Sequence, residues 1–167
     1  MGKIETTFYR NKIKESAHNI KCLISSYNGE IIYTTKNEND LIYPRSSIKI
    51  FQAIPFALSN AIKFFNLNQK QIALSCSSHC AEKFHVKELE SWLKKIGLNR
   101  NLLKCGVHNP LDKPSSDKLL LSGIKPNQIH NNCAGKHLAM LSGCKINKFN
   151  LDNYLDINHP YQVQIRK

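Results

Sequence analysis

The stretch Pro44-Arg45-Ser46-Ser47-Ile48-Lys49 opens an apolar run in which large aliphatic side chains recur every four residues. These side chains are Ile50, Ile54, Leu58 and Ile62. Four-residue spacing of apolar side chains is typical of one face of an α-helix. We therefore predict a helix from Ser46 to Phe65, which begins at a serine able to cap the first backbone N–H groups. Because Pro55 lacks an N–H, it predicts a kink within this helix.

A β-hairpin is predicted upstream, over residues 19–35. Apolar and polar residues alternate in its first half, and the second half reads Glu30-Ile31-Ile32-Tyr33-Thr34. The pair Asn28-Gly29 lies between the halves and tolerates the positive φ of a tight turn. A polar loop, residues 37–40, then leads to Pro44.

Four further segments carry helical signals: residues 69–75, 86–96, 118–121 and 133–141. Gly97 follows the second segment as a predicted C-cap. Residues 151–167 have helix-like apolar spacing with a break at His159-Pro160. The sequence thus predicts an α+β fold, an N-terminal antiparallel hairpin plus helices, in a single domain over residues 1–167.

Charge and composition narrow the class of partner. Lys and Arg total 24 against 12 Asp and Glu, a formal net charge of +12. The basic residues are scattered and no basic stripe with interleaved aromatic residues occurs, so we expect no nucleic-acid binding. No apolar stretch reaches the roughly 18 residues of a membrane span, so no membrane partner is expected. Residues 1–20 carry no export signal, and the six cysteines are therefore expected to be reduced thiols in the cytoplasm.

Ser46 and Lys49 form a Ser-x-x-Lys pair at the start of the predicted helix. Residues three apart share a helix face, so the amine can lie near the hydroxyl. The positive end of the helix dipole and partial burial would lower the pKa of Lys49, which makes it a usable base for a serine nucleophile. A capping serine followed by a solvated lysine is the alternative interpretation of this pair.

Residues 131–137, which read Asn-Asn-Cys-Ala-Gly-Lys-His, concentrate hydrogen-bonding groups just before another apolar run. Cys133 and Lys136 lie one helical turn apart, where both can face one metal ion or one substrate. A capped surface helix with a buried cysteine is the alternative. A separate metal-binding hypothesis uses four residues whose spacing matches no standard zinc motif: Cys76, His79, Cys80 and His85.

In their order and spacing, these motifs resemble the L-asparaginase II family of the rhizobial type. The resemblance rests on Arg45 to Lys49 with Gln52 and Pro55, on Ser77-Ser78-His79, on Cys105-Gly106-Val107-His108-Asn109-Pro110, and on Asn131 to His137. It implies a fold like that of serine β-lactamases and penicillin-binding proteins. It also implies that L-asparagine is a small-molecule substrate, hydrolysed to L-aspartate and ammonia. Recognition of β-lactams is not expected, because the motifs Lys-Thr-Gly and Ser-Asp-Asn are absent.

The resemblance implies roles for particular residues. Ser46 would be the acyl-accepting nucleophile and Lys49 its base, while Ser78 would belong to a second Ser–Lys pair. Cys133 and Lys136 would be two ligands of the family's zinc. The substrate pocket would be lined by Arg45, His79, Asn132 and His137.

The sequence departs from the family pattern in two ways, and each departure leads to a further prediction. Cys80-Ala81 stands where the family usually has Ser-Gly, so the local backbone is expected to change. Family members are longer, so the chain resembles only their N-terminal portion; a third metal ligand and the lysine partner of Ser78 are expected in a C-terminal half. We therefore expect a partner, either a second copy or the missing half, or else a truncated, non-catalytic remnant. Zinc would bind weakly to Cys133 and Lys136 alone, and Cys105, His137 or water could be recruited as a further ligand, although the spacing does not require it. The choice between asparagine and glutamine stays open.

Overall fold

The computed structural model describes residues 4–35 and 39–167, which belong to two compact units, Met1–Tyr43 and Pro44–Lys167. Residues 37 and 38 of the predicted polar loop lie outside the described residues. The first unit contains antiparallel strands and the second contains helices, so the α+β class is confirmed. The single-domain organisation and the likeness to β-lactamases stay predictions.

The first unit consists of two antiparallel hairpins. Strand β1 (Ile4–Arg10) pairs with β2 (Ile13–Ile20), and β3 (Leu23–Ser25) pairs with β4 (Ile31–Thr34). Most side chains of β1 and β2 are exposed on both faces. Strands without a buried face need no apolar alternation, which explains why the sequence did not predict the first hairpin.

The two hairpin turns differ in geometry. Asn11 and Lys12 join β1 to β2 with φ values of +46° and +70°, as a two-residue type I′ turn requires. In the predicted turn, Gly29 has a φ of +89° whereas Asn28 does not have a positive φ. The second hairpin is therefore confirmed in its predicted place, but its connection is not a two-residue primed turn.

The second unit is helical, and none of the described helices is long and apolar enough to cross a lipid bilayer. In the described residues its helices are α1 (Lys49–Leu58), α2 (Ala61–Phe64), α3 (Gln69–Cys76), α4 (Lys83–Ile96), α5 (Lys113–Leu121), α6 (Ala134–Ile146) and α7 (Pro160–Ile165). The four helical segments predicted between residues 69 and 141 are confirmed as α3 to α6, with shifted ends. Gly97 closes α4 with a φ of +61°, as predicted.

Helix α6 forms the centre of this unit. Ten of its 13 residues are buried, and α1, α3, α4 and α7 pack around it. Gly135 allows a very close approach to α3, because a Cβ there would lie 2.1 Å from the carbonyl oxygen of Leu74. Trp92 of α4 is fully buried and donates to Ser142 Oγ at 3.0 Å. This packing fixes the start of α6 beside the end of α3.

The helix predicted from Ser46 to Phe65 is divided into three elements. A 3-10 turn over Arg45–Ile48 precedes α1, and Asn60, with a φ of +66°, separates α1 from α2. A right-handed helix cannot continue through a positive φ. The interruption therefore falls at residues 59–60, and not at Pro55, which lies buried inside α1.

The apolar stripe that identified α1 lies mostly in solvent. Ile50, Ile54 and Leu58 are 61%, 47% and 81% exposed, whereas Lys49 and Phe56 are 5% and 1% exposed. The spacing thus predicted the helix correctly but did not indicate which side of it is buried. An exposed apolar stripe is typical of a surface that contacts another part of a protein, a partner or a ligand.

Candidate active site and metal-ligand cluster

Lys49 connects the start of α1 to the segment that follows α3. Its side chain is buried, and Nζ donates to Ser78 Oγ at 2.6 Å and to the carbonyl oxygen of Ser77 at 3.0 Å. The bond to Ser78 lies at the short end of the range for N–H···O hydrogen bonds. Within this chain, Ser78 Oγ is therefore bonded to Lys49, while the further lysine expected in a C-terminal half stays a prediction.

Burial lowers the pKa of Lys49. Desolvation disfavours its charged ammonium, and the positive charge of Lys136 acts in the same direction, whereas Cys133 and Cys76 oppose the shift. A lowered pKa increases the fraction of neutral amine near pH 7. Because a neutral amine accepts a proton, Lys49 is suited to act as a base.

Ser46 and Arg45 lie exposed in the 3-10 turn before α1. The backbone N–H of Lys49 donates to the carbonyl oxygen of Ser46. Within the described part of the chain, however, Lys49 Nζ makes its hydrogen bonds to Ser77 and Ser78 and not to Ser46. Ser46 and Lys49 are therefore joined by a backbone hydrogen bond within one turn. The side chain of Lys49 instead bonds to Ser78.

His79 is buried directly after Ser78, and its ring is neutral near pH 7. Burial lowers its pKa to about 4, and His85 and Lys49 contribute in the same direction. The backbone N–H of Ala81 donates to His79 Nδ1 at 3.1 Å, so the hydrogen of the neutral ring is on Nε2. That Nε2 is buried and has no hydrogen-bond partner among the residues that the structure describes. His79 therefore presents an unused N–H donor beside the Ser–Lys pair.

Backbone hydrogen bonds hold the loop that carries Ser78. His79 N–H donates to the carbonyl oxygen of Asn132 at 3.1 Å, and Asn132 N–H donates to His108 Nε2 at 3.1 Å. Ala81 adopts a φ of +61°, a conformation that favours glycine. The alanine at the family's glycine position thus adopts a left-handed backbone, at a cost of about 1 kcal/mol.

Two thiols and an imidazole converge at the start of α6. The ligand atoms of Cys105, Cys133 and His137 all lie within 4.8 Å of one another. Asn131 joins the two cysteine segments, since its Nδ2 donates to the Cys105 carbonyl oxygen at 2.8 Å and its Oδ1 accepts from Cys133 N–H at 3.0 Å. Sulfur and imidazole donors suit zinc and similar divalent metals. The three side chains can therefore hold a metal ion.

The two thiols of the cluster differ in charge. The hydrogen bond from Cys105 lowers the pKa of Cys133 to about 4, and His137 and Lys136 contribute in the same direction. The same bond, together with burial, raises the pKa of Cys105. The two sulfurs therefore share one proton at neutral pH, and the thiolate of this pair is the form that binds metals.

His137 is buried, and its ring is oriented by Tyr154. Its Nδ1 shares a 2.7 Å hydrogen bond with the Tyr154 hydroxyl, whose oxygen also accepts from the Lys104 backbone N–H at 2.8 Å. Burial raises the pKa of Tyr154, so the phenol stays protonated. Because Nδ1 is occupied, Nε2 is the nitrogen left for the cluster.

The alternative metal-binding hypothesis finds no support in the structure. Over the described residues, only the cluster above brings three or more histidine, cysteine or acidic side chains close enough to share an ion. Cys76 and Cys80 are exposed, and the rings of His79 and His85 stack on each other at 5.4 Å.

A family model for L-asparaginase II matches residues 6–167 of the sequence. The chain belongs to the L-asparaginase II family. No curated protein matches its sequence. Membership of the L-asparaginase II family confirms the resemblance inferred from the four motifs. It supports an asparaginase-type function and a small-molecule substrate.

In this member of the L-asparaginase II family, sequence reasoning missed two features of the site. It paired Lys49 with Ser46, and it left Cys105 and His137 as optional metal ligands that the spacing did not require. The sequence did contain a signal, because Cys105 begins the Cys-Gly-Val-His segment and His137 ends the Asn-rich segment. Spacing along the chain could not show that these segments meet. Asn131 bonds to the Cys105 carbonyl oxygen 26 residues away, and this contact forms only when the chain folds.

Proposed function

We propose that this chain hydrolyses L-asparagine to L-aspartate and ammonia through a serine nucleophile, in the cytoplasm. The observation that carries the proposal is the buried Lys49 amine bonded to Ser78 Oγ in a member of the L-asparaginase II family. A lysine with a lowered pKa beside a serine is a recurring way to activate a hydroxyl group. The neutral His79 follows Ser78 directly, and its backbone N–H bond to the Asn132 carbonyl oxygen helps to hold the loop that carries this pair.

In the first step, Ser46 Oγ attacks the side-chain amide carbon of asparagine while Lys49 takes the hydroxyl proton. The C–O bond forms and the carbonyl electrons move to oxygen, where backbone N–H groups stabilise the negative charge. Ser46 is exposed at the start of its turn, so its hydroxyl is accessible to a substrate. The lowered pKa of Lys49 supplies the neutral amine that this step needs.

The leaving nitrogen needs a proton, and Ser78 is the residue proposed to deliver it. Lys49, now an ammonium, donates to Ser78 Oγ over 2.6 Å. Ser78 can therefore give its own proton to the amide nitrogen and receive one from Lys49. The C–N bond then breaks, ammonia leaves, and Ser46 carries an aspartyl ester. Water hydrolyses this ester, with Lys49 taking the proton from water and returning it to Ser46.

Four residues are proposed to line the substrate pocket. His79 is proposed to form the pocket wall directly after Ser78, and Arg45 offers an exposed guanidinium to the α-carboxylate. Asn132 is half-buried next to the loop that carries Ser78. His137 is buried in the metal-ligand cluster, so its proposed effect on the substrate is through the position of that cluster.

We also propose that the cluster of Cys105, Cys133 and His137 holds zinc, with Lys136 beside it. Zinc sites are tetrahedral with ligands about 2.0–2.3 Å from the metal, so two donors of one site lie about 3.3–3.8 Å apart. The donors, now within 4.8 Å of one another, would move closer together by up to about 1 Å on binding. Bound zinc would supply a positive charge that polarises a carbonyl or a water molecule. With three donors, we expect tighter binding than the sequence-predicted pair of Cys133 and Lys136 would give.

Titration with a competing zinc indicator measures this affinity. We expect stoichiometric binding that is lost in Cys133→Ala and strongly weakened in Cys105→Ala. The matched control is Cys76→Ala, because that thiol is exposed and outside the cluster. Unchanged affinity in Cys105→Ala would mean that the cluster does not bind zinc as proposed.

Release of ammonia from L-asparagine by the purified chain measures the proposed activity, with L-glutamine in parallel. We expect Ser46→Ala to lower kcat/KM by about a thousandfold or more, because a nucleophile is lost. The neighbouring Ser47→Ala is the control, since the Ser47 hydroxyl bonds to the carbonyl oxygen of Pro44. Equal turnover by Ser46→Ala and Ser47→Ala would exclude the assigned nucleophile.

A second candidate is a non-catalytic part of a split asparaginase-like protein. The exposed apolar stripe of α1, which includes Ile50 and Leu58, favours it because such a surface suits a second copy or a further segment. Cooperative unfolding of the purified chain without any ammonia release would support this candidate. Turnover by the chain alone would exclude it.

A further inference from the structure

A groove with lining residues distinct from those of the candidate site lies between α4 and α5. Its volume of about 430 Å³ falls in the range of pockets that hold small molecules, about 300–1,000 Å³. Each helix contributes side chains at positions three or four apart, which is the spacing of one helix face. The α4 wall consists of Lys83, Val86, Lys87 and Glu90, and the α5 wall of Ser115, Lys118, Leu119 and Ser122.

The body of the groove is apolar. Val86 and Leu119 are half-buried in opposite walls, and Ala81, Pro110 and Ile124 extend the apolar lining. Ile124 is 58% exposed, so part of this lining faces water. An apolar chain placed here would remove that surface from water, which is favourable.

The charges around the groove are unbalanced. Lys83, Lys87 and Lys118 are exposed, and none of their side-chain ammonium groups has an ion pair or a hydrogen bond with another described residue. By contrast, Lys113 on the same helix as Lys118 pairs with Asp117 at 2.9 Å. Glu90 is the one acidic residue of the lining. The groove therefore favours an anionic group over a cationic one.

We infer that this groove binds a small amphiphile with one apolar chain and an anionic head group, such as a medium-chain carboxylate. The apolar walls would cover the chain, and the lysines would lie around the head group. A groove of about 430 Å³ is too small to hold a helix of another protein. Such a helix is about 10–12 Å wide with its side chains, and even two turns of it would exceed this volume. The inference is independent of the proposed asparaginase activity.

Calorimetric titration of the full chain with octanoate measures the binding. The charge variant replaces Lys83, Lys87 and Lys118 together by glutamine. Since one exposed ion pair changes affinity by a factor of about two to five, we expect about tenfold weaker binding in this variant. The matched control replaces Lys63, Lys70 and Lys94 by glutamine, which lowers the net charge equally outside the groove. It separates local recognition from general attraction to a basic protein.

A second variant, Leu119→Glu, places a carboxylate in the apolar wall, and we expect it to abolish binding. Circular dichroism of each variant verifies that the fold is retained. Octyltrimethylammonium, which has the same chain and a cationic head, is expected to bind at least about tenfold more weakly than octanoate. The inference is overturned by equal affinity for the two amphiphiles, by an equal loss in the control variant, by normal binding to folded Leu119→Glu, or by no octanoate binding.

Discussion

The segment around Lys49 and the segment around Cys133 each lie at the start of a helix, but their reactive groups have different partners. Lys49 donates to two oxygens, Ser78 Oγ and the Ser77 carbonyl. Cys133 and His137 instead face a second thiol, with three electron-pair donors within 4.8 Å. A chain of hydrogen bonds can move a proton, whereas a group of converging donors can bind a cation. The two helix starts are therefore suited to different chemistry, although Gly135 packs α6 against α3 and so keeps them close.

The largest effect is expected at the proton-transfer side of this comparison. Replacing Lys49 by methionine removes the base and keeps an apolar stem, so we expect kcat/KM for asparagine to fall by about a thousandfold. Lys63→Met, at an exposed position on α2, serves as the control and should change kcat/KM little. A loss of less than about threefold in Lys49→Met would assign the proton transfer to another group.

The close contact between α6 and α3, which keeps the Cys133 and Lys49 segments together, can be broken at Gly135. An alanine Cβ would lie 2.1 Å from the Leu74 carbonyl oxygen, which is backbone and cannot move aside easily. Alanine favours a helix over glycine by about 1 kcal/mol, but we expect the clash to dominate. The free energy of unfolding should fall by about 3 kcal/mol or more, measured by urea denaturation.

The control for this substitution is Ser91→Ala, on the exposed face of α4, which should change stability by less than about 0.5 kcal/mol. If Gly135→Ala were as stable as the unmodified chain, α6 and α3 would not pack as closely as described.

The neutral state of His79 predicts a pH dependence of stability. Its folded pKa of about 4 lies below the ordinary histidine pKa of 6.5 in an unfolded chain, so the unfolded chain binds the proton first as the pH falls. Stability should therefore decrease between pH 6.5 and pH 4, by up to about 3 kcal/mol. Urea denaturation across this range should show a smaller decrease for His79→Gln, since that side chain does not titrate. Parallel curves for the two proteins would contradict a buried neutral His79.

On the cation-binding side, a smaller effect is expected from Tyr154→Phe. The substitution removes the hydroxyl that bonds to His137 Nδ1 at 2.7 Å but keeps the ring. Loss of such an orienting partner weakens metal binding by about tenfold or more. Competition with a zinc indicator measures the change, and Tyr161→Phe, a buried tyrosine bonded to the Gln52 carbonyl oxygen, is the matched control. Equal zinc affinity in both variants would mean that the Tyr154 hydroxyl does not orient His137 for metal binding.

The same two segments show how far the sequence could predict the site. The helices that carry Lys49 and Cys133 were predicted from apolar spacing and capping residues, because those signals are local. Their partners could not be assigned from the sequence, which left Cys105 as one open choice among several. Ser78 and Cys105 lie 29 and 28 residues away along the chain and meet Lys49 and Cys133 only through packing. The exposed side of α1 was missed for the same reason, since spacing cannot tell which neighbours a helix acquires.

Local chemistry also explains why the first hairpin was not predicted. Its strands bury little on either face, so their sequence lacks the alternation that identifies a strand. The break at Asn60 follows from one residue with positive φ inside a continuous apolar pattern. The spacing of apolar side chains could not predict that the φ of Asn60 is positive.

The central claim is that Lys49 and Ser78 act as one path for the proton. The most direct test is a double-mutant cycle with Lys49→Met, Ser78→Ala and the combined variant, measured as kcat/KM for release of ammonia from L-asparagine. If the two residues act together, the combined variant should be no less active than the weaker single variant, since the second substitution removes nothing further. If the two losses multiply in the combined variant, Lys49 and Ser78 act independently and the account is contradicted.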